Sequence, residues 1–234
     1  MKLLISVTSA AEARAAIHGG ADIIDVKNPA EGALGAASVA ALRDVCALLP
    51  PSRVGSAALG ESNSAPGALA LAAYGAASLG AYYVKLGLRT ADPAQAINLL
   101  QLIQTSLNLA NPDCALIAVG YADAADIGGL AWQLLPEIAR AAQIKGCMID
   151  TALKDGRRLF DHCSEPALAR WIAECRTAGR LCALAGSLSQ ADLPALRRLH
   201  PDVAGFRGAA CRGDRVNGQV EAELVAVLRA GLAD

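Results

Sequence analysis

Residues 21–36 read ADIIDVKNPAEGALGA, and the interpretation of the whole chain starts from this stretch. Its first six residues are mostly apolar, as in a buried β-strand, yet they include Asp22 and Asp25 and lead directly into Lys27. Lysine is scarce here, because the chain has five lysines beside 16 arginines. A buried lysine is costly unless it is paired or loses its proton. The fold must therefore explain why Lys27 ends a buried strand.

The same alternation of a short apolar strand and an amphipathic helix recurs along the chain. Apolar i, i+3, i+4 spacing predicts helices in AEARAAIHGG (11–20), in AQAINLLQLIQTSLNLA (94–110) and from about 219 to 232. Eight strands are predicted, at residues 2–7, 21–26, 53–59, 81–86, 114–120, 146–150, 181–185 and 203–206. Eight strand–helix units in 234 residues are typical of a single-domain (β/α)8 TIM barrel covering residues 1–234. A doubly wound sheet would have fewer strands and usually a glycine-rich first turn, which this chain lacks.

Composition excludes several classes of function. The formal net charge is −1 and no basic run exceeds two residues, which argues against a nucleic-acid partner. Seven scattered cysteines without a CxxC pattern, and an apolar run at 3–7 too short for a signal peptide, predict a cytoplasmic protein with reduced thiols. His18, His162 and His200 have no metal-ligand partner at useful spacing, so no metal site is expected.

Two apolar segments bear on partners. Residues 67–84 contain no charge, but glycine, alanine and serine content and a break at Gly80 predict a buried helix followed by a strand, not a membrane span. A homo-oligomer is expected, with residues 67–80 and 128–142 as candidate contact surfaces, although these segments could equally face the core.

In this fold the active site is built at the C-terminal ends of the strands. The ionisable residues predicted there are Asp25, Lys27, Lys85, Asp150 and Lys154. Arginine is the better residue for a purely structural ion pair, so three lysines on one rim favour amine chemistry, such as a Schiff base with a carbonyl. The alternative, left open by the residues alone, is that Asp25–Lys27 and Asp150–Lys154 are ion pairs that only close the barrel.

A phosphate site is predicted in the loops after strands 7 and 8. Barrels often bind phosphate there through backbone N–H groups. The candidate residues are Gly186, Ser187, Arg207, Gly208 and Ala209. The alternative is that the two glycines serve only tight turns. A phosphorylated carbonyl compound would satisfy both the lysines and these loops.

The chain resembles the (5-formylfuran-3-yl)methyl phosphate synthase family, also called 4-(hydroxymethyl)-2-furancarboxaldehyde-phosphate synthase. The segments that carry the resemblance are GGADIIDVKNPAEGALGA (19–36), YVKLGL (83–88), GYADA (120–124), IDTALKDGRRLFD (149–161), CALAGSL (182–188) and GFRGAACRGDRVNG (205–218). Their occurrence together and in order is specific, whereas none of them would be so alone.

The resemblance implies a Schiff-base lyase that joins two molecules of glyceraldehyde 3-phosphate, with loss of phosphate and water, for methanofuran-type C1 carriers. It makes Lys27 the Schiff-base residue and Lys85 the proton acceptor. Asp25, Asp150 and Lys154 match supporting polar residues of the family. No cofactor is expected, because a protonated imine takes the place of a metal as the electron sink.

Two other functions remain open at this stage. One is a class I-type aldolase acting on a phosphorylated sugar, in which formation of a carbon–carbon bond is the only event. The other is a barrel that binds a phosphorylated ligand without catalysis. Release of inorganic phosphate would exclude both, because neither of them removes a phosphate group from its ligand.

Overall fold

Eight parallel strands close into a barrel in the computed structural model, which describes residues 1–233. The strands are β1 (Lys2–Val7), β2 (Ile23–Val26), β3 (Val54–Glu61), β4 (Tyr83–Gly87), β5 (Ala115–Tyr121), β6 (Gly146–Asp150), β7 (Leu181–Leu184) and β8 (Val203–Phe206). They follow one another in chain order, and β8 returns to pair with β1, where Lys2 lies beside Val203. The predicted (β/α)8 barrel is confirmed.

Nine α-helices accompany the strands within the described residues. They are α1 (Ala10–His18), α2 (Val39–Cys46), α3 (Pro66–Ser78), α4 (Pro93–Ala110), α5 (Leu135–Ala141), α6 (Leu159–His162), α7 (Glu165–Thr177), α8 (Leu193–Leu199) and α9 (Ala222–Leu232). Local sequence explains several helix starts. Ser9 caps α1 by accepting the N–H of Glu12, and Asp92 caps α4 by accepting the N–H of Ala94.

The prediction that the last helix begins near residue 219 is wrong. Two short strands, β9 (Cys211–Arg212) and β10 (Gln219–Val220), pair antiparallel before α9 begins. The turn between them is stabilised by Asp214, whose carboxylate accepts the N–H groups of Val216 and Asn217. These local bonds satisfy the backbone without a helix, so the chain after β8 forms a structured loop above the barrel.

The two apolar segments, 67–84 and 128–142, differ in how deeply they are buried. Residues 67–84 form most of α3 and the start of β4, as predicted, but α3 is only half-buried, since Leu71 is 75% exposed and Tyr74 47% exposed. In the segment 128–142, by contrast, Trp132 and Ile138 are buried in the core. No helix among residues 1–233 is long and apolar enough to cross a membrane.

Apolar side chains fill the barrel interior beneath the candidate site. Leu4, Ile23, Ala58, Ile117 and Met148 belong to one buried cluster there. This apolar floor follows from the period of two along each strand, which turns alternate residues inward. On β1, β2 and β6 the next inward positions toward the C-terminal ends are polar, namely Ser6, Asp25 and Asp150, and they begin the candidate site.

Candidate functional site

A cavity of about 230 Å³ lies at the C-terminal end of the barrel. It is lined by residues from several strand ends and the loops that follow them. Nine of the ten site residues predicted from sequence line it: Lys27, Lys85, Asp150, Lys154, Gly186, Ser187, Arg207, Gly208 and Ala209. The tenth, Asp25, lies beneath its floor and is fully buried. The fold therefore brings all the predicted site residues to one end of the barrel.

Asp25 is the centre of a polar layer that crosses four strands, β1 to β4. Ser6 of β1 and Ser56 of β3 are its direct register partners. Their hydroxyls donate to the Asp25 carboxylate over 2.9 and 2.8 Å, and the Lys85 Nζ donates to it over 2.7 Å. Burial alone would raise the pKa of Asp25, but the charges of Lys85 and Lys27 and these hydrogen bonds hold it below its usual value. The carboxylate is thus ionised and fixes the Lys85 ammonium.

Asp150 and Lys154 form a second ion pair on the opposite side of the cavity. The Lys154 Nζ lies 3.0 Å from an Asp150 oxygen, and the same oxygen accepts the N–H of Thr151 over 2.7 Å. Burial opposes ionisation of Asp150, yet the charges of Lys154 and Lys27 lower its pKa to about 2. This pair matches the predicted Asp150–Lys154 contact.

Lys27 is the lysine of the cavity that has no carboxylate partner among the described residues. Its Nζ donates to the backbone oxygen of Ala33 over 3.1 Å, and its side chain is almost fully buried. The pKa of Lys27 is lowered to about 7, mainly by burial and also by the charges of Lys85 and Lys154, while the charges of Asp150 and Asp25 oppose the shift. Lys27 is therefore the amine that can be neutral near pH 7.

This arrangement bears on the alternative that Asp25–Lys27 and Asp150–Lys154 are ion pairs that only close the barrel. The Asp25–Lys27 ion pair of that alternative is not formed, because the Asp25 carboxylate is bonded to Lys85 instead. Asp25 and Asp150 are thus matched by two other lysines, and Lys27 is left without a carboxylate among residues 1–233. Ion pairing accounts for Lys85 and Lys154 but leaves Lys27 unexplained.

Asp123 is a buried residue of this region that the sequence did not single out, although it lies in the segment GYADA. Its carboxylate accepts the backbone N–H of Ala152 over 2.8 Å and of Leu153 over 2.7 Å. These two amides precede Lys154 directly. Asp123 therefore holds the loop after β6 in the conformation that brings Lys154 to Asp150.

Replacing Asp123 by Ala tests that role. We expect the Asp123→Ala variant to lose about 1–3 kcal/mol of unfolding free energy, because two backbone N–H groups lose their acceptor. Urea denaturation measures this loss. Asp155→Ala, an exposed change in the same loop, is the matched control and is expected to change stability by about 0.5 kcal/mol or less. An equal effect of both variants would contradict the role of Asp123.

Arg207 was predicted to bind phosphate, and the structure shows its guanidinium fully engaged by protein groups. It forms a two-point ion pair with Glu12 over 2.6 and 3.1 Å and donates to the backbone oxygen of Ser6 over 3.0 Å. Burial alone would raise the pKa of Glu12, but Arg207 and the N–H of Thr8 bring it below its usual value. The pair ties the loop after β8 to α1.

The loop after β7 has an unusual backbone. Gly186 has φ of +108° and Ser187 of +50°, two consecutive positive values. The φ of Gly186 disfavours any residue with a Cβ, and such a Cβ would also lie 3.1 Å from the Thr151 side chain. The backbone N–H groups of 186, 187 and 188 have no acceptor within residues 1–233. Successive free N–H groups of this kind form a concave site that suits an anion.

Comparisons with known proteins show what this chain is similar to. Residues 3–229 match the family described as 4-HFC-P synthase. The chain is 42% identical over 227 residues to the (5-formylfuran-3-yl)methyl phosphate synthase of Methanococcus maripaludis strain C5, covering 96% of each chain. It is 42% identical over 231 residues to the enzyme of the same name from Methanocaldococcus jannaschii, covering 98% of each chain. The crystal structure of KGPDC from Streptococcus mutans has a TM-score of 0.65 at 14% identity, covering 99% of this chain and 96% of that one, and shares the fold alone.

Proposed function

This chain belongs to the 4-HFC-P synthase family, and we propose that it makes (5-formylfuran-3-yl)methyl phosphate from two molecules of glyceraldehyde 3-phosphate. For the atoms to balance, one phosphate and two waters must leave. The observation that carries the proposal is the state of Lys27, a buried amine in a cavity, with a pKa of about 7 and no carboxylate partner among the described residues. Such an amine can attack a carbonyl at neutral pH.

The first step is imine formation. The neutral Lys27 Nζ attacks the aldehyde carbon of one triose phosphate, and loss of water gives a protonated imine. The protonated imine is positively charged, and the negative charges of Asp150 and Asp25 stabilise it. Since the imine nitrogen draws electrons, the hydrogen on the adjacent carbon becomes acidic, and no metal or cofactor is required.

Proton transfer and elimination follow in this proposal. The Lys85 ammonium gives a proton to the hydroxyl that leaves as water when the imine forms. The neutral Lys85 amine then takes the proton from the carbon next to the imine, and the electron pair expels phosphate from the next carbon. Asp25 positions Lys85 for this transfer, because its carboxylate lies 2.7 Å from the Lys85 Nζ and stabilises the ammonium that forms. Lys154, held at 3.0 Å by Asp150, supplies a proton to the hydroxyl groups that leave as water.

The phosphate of a bound triose is proposed to occupy the loops after β7 and β8. The support is the pair of positive φ angles at Gly186 and Ser187 and the free N–H groups beside them. Gly208 and Ala209 line the same cavity from the other loop. Arg207 does not bind this phosphate directly, because its N–H donors are engaged by protein groups. Its ion pair with Glu12 fixes the loop after β8 in place.

Two further expectations belong to the proposal. The enzyme is proposed to work in the cytoplasm, where its seven free thiols would stay reduced. A homo-oligomer is proposed with α3 at the contact, since Leu71 and Tyr74 expose apolar surface on a helix without charged residues.

The proposal is tested by product analysis. Purified enzyme is incubated with glyceraldehyde 3-phosphate, and inorganic phosphate and the furan aldehyde are followed together. We expect one phosphate released for every furan formed and every two trioses consumed. A six-carbon sugar phosphate without phosphate release would indicate the aldolase instead. Unchanged substrate after long incubation would indicate a binding protein.

The reaction is expected to depend on pH through Lys27. The rate of imine trapping by cyanoborohydride should rise as the pH increases through about 7, because the neutral amine forms above its pKa. Lys154→Met removes a like charge and should move this midpoint upward, whereas Asp150→Asn removes an opposite charge and should move it downward. A midpoint near the ordinary lysine value of 10.5 in the native enzyme would contradict the lowered pKa.

A further inference from the structure

Two arginines line the cavity, and they differ in how many hydrogen-bond donors remain for a ligand. The Arg207 guanidinium donates to both carboxylate oxygens of Glu12 and to the backbone oxygens of Ser6, Gly218 and Arg215. A guanidinium has five N–H donors. Arg207 has thus little capacity left for a substrate.

Arg215 lies in the loop between β9 and β10 and is only half-buried. Its Nη1 donates to the backbone oxygen of Pro29 over 3.2 Å, and its Nη2 donates to that of Gly32 over 3.4 Å. No carboxylate within residues 1–233 forms an ion pair with it. Its remaining N–H donors have no acceptor within the described part of the chain, and a partly buried charge without a counter-ion is costly. An anionic ligand would supply the missing partner.

We propose that Arg215 binds the phosphate of one of the two triose phosphates, while the backbone at Gly186 and Ser187 binds the other. This inference rests on the proposed function, which requires two phosphorylated molecules in one cavity. The two anion-binding features belong to different loops. Arg215 reaches the loop after β2, whereas Gly186 and Ser187 follow β7, three strands away in the closed barrel. Each phosphate therefore has its own binding group.

The position of Arg215 also links phosphate binding to the amine. Pro29 and Gly32 belong to the loop whose Ala33 oxygen accepts a hydrogen bond from the Lys27 Nζ. A phosphate on Arg215 would therefore lie beside that loop and close to Lys27. A guanidinium suits this task because its planar donors match two phosphate oxygens at once.

The test uses inorganic phosphate as a probe together with turnover of glyceraldehyde 3-phosphate. The variants are Arg215→Met and Arg215→Lys. Arg212→Met is the matched control, since Arg212 precedes the same turn, is exposed and pairs with Glu221. Calorimetric titration is expected to show two phosphates per chain in the native enzyme and in Arg212→Met, but one in Arg215→Met. The kcat/KM for glyceraldehyde 3-phosphate should fall by about 10- to 100-fold in Arg215→Met.

Unphosphorylated glyceraldehyde separates binding from chemistry. Its reductive trapping on Lys27 should differ by less than about two-fold between the native enzyme and Arg215→Met, because no phosphate is involved. Equal phosphate binding in Arg215→Met and Arg212→Met would overturn the inference. So would faster amide exchange in residues 28–34 with phosphate binding intact, since Arg215 would then only tether the loop. Were Arg215→Met unfolded, loss of one phosphate in folded Arg215→Lys would support the inference, and native stoichiometry would overturn it.

The proposed function can fail separately. Native enzyme that binds two phosphates per chain but forms no furan would refute the synthase proposal and leave the phosphate role of Arg215 standing.

Discussion

Replacing Lys27 by Met is expected to reduce turnover of glyceraldehyde 3-phosphate by about 10⁴- to 10⁶-fold, as removal of the nucleophile does in covalent catalysis. Lys85 and Lys154 cannot substitute for it, because each is bound to a carboxylate, at 2.7 and 3.0 Å. Methionine has similar length and no charge, so the cavity keeps its shape. Steady-state release of inorganic phosphate measures the effect.

The matched control is Lys145→Met. Lys145 is exposed and precedes β6, so it lies at the opposite end of the barrel from the cavity. We expect native turnover in this variant. Residual activity of Lys27→Met within about ten-fold of the native enzyme would show that the reaction does not proceed through an amine at this position.

Loss of activity in Lys27→Met is not expected to come from unfolding. The pKa of Lys27 is about 7 in the folded protein and near 10.5 in the unfolded chain, so between these values only the unfolded chain carries the proton. Stability therefore rises with pH across this window, and nearly the full penalty of burying Lys27 is present at pH 7. Lys27→Met should be more stable than the native protein at pH 7, and this gain should shrink toward pH 10.5.

Asp25→Asn is expected to lower the unfolding free energy by about 3–5 kcal/mol, because it leaves the Lys85 ammonium buried without its counter-ion. Both side chains are at most 5% exposed, so solvent cannot compensate. Activity should be lost as well, since the ammonium form of Lys85 would lose the carboxylate that stabilises it. Urea denaturation at pH 7 measures the stability change.

A double variant shows how much of the stability loss comes from breaking the Asp25–Lys85 ion pair. Asp25→Asn combined with Lys85→Met removes both charges, so most of the lost stability should return while activity stays absent. The control is Asp44→Asn, whose exposed pair with Arg43 is worth at most about 1 kcal/mol. If the double variant were less stable than either single variant, Asp25 and Lys85 would not be coupled as the structure shows.

The positions of the candidate site residues could be predicted from sequence because they depend on local patterns. The apolar runs located all eight strands, and the strand that leads to Lys27 begins at residue 23 where 21 was predicted. Residues at the ends of parallel strands meet at one end of a barrel. Placing Lys27, Lys85 and Asp150 together required no knowledge of which strands are neighbours.

The partners of these residues depend on barrel register, which the sequence does not display. Lys85 lies opposite Ala58 in the register of β4 with β3, and this places its Nζ on Asp25 rather than leaving Asp25 to Lys27. Ser6 and Ser56 complete the layer from two other strands. Ordinary serines in apolar strands gave no signal of that role.

Glu12 has the local spacing of a helix-capping residue, but its main contact is with a residue far away in the sequence. Three residues after Ser9, it has the spacing of a helix capping box, and Ser9 does accept its N–H. Its carboxylate, however, accepts the N–H of Thr8 and pairs with Arg207, 195 residues along the chain. The prediction of Arg207 as a phosphate ligand rests on its place in the loop after β8, and no local pattern indicates Glu12 as its partner.

Trapping the covalent intermediate tests the central claim most directly. Native enzyme is reduced with cyanoborohydride in the presence of glyceraldehyde 3-phosphate, digested, and mapped by mass spectrometry. The account predicts one substrate-derived label per chain, on the peptide that contains Lys27. A label on Lys85 or Lys154, or no label while phosphate is still released, would contradict it.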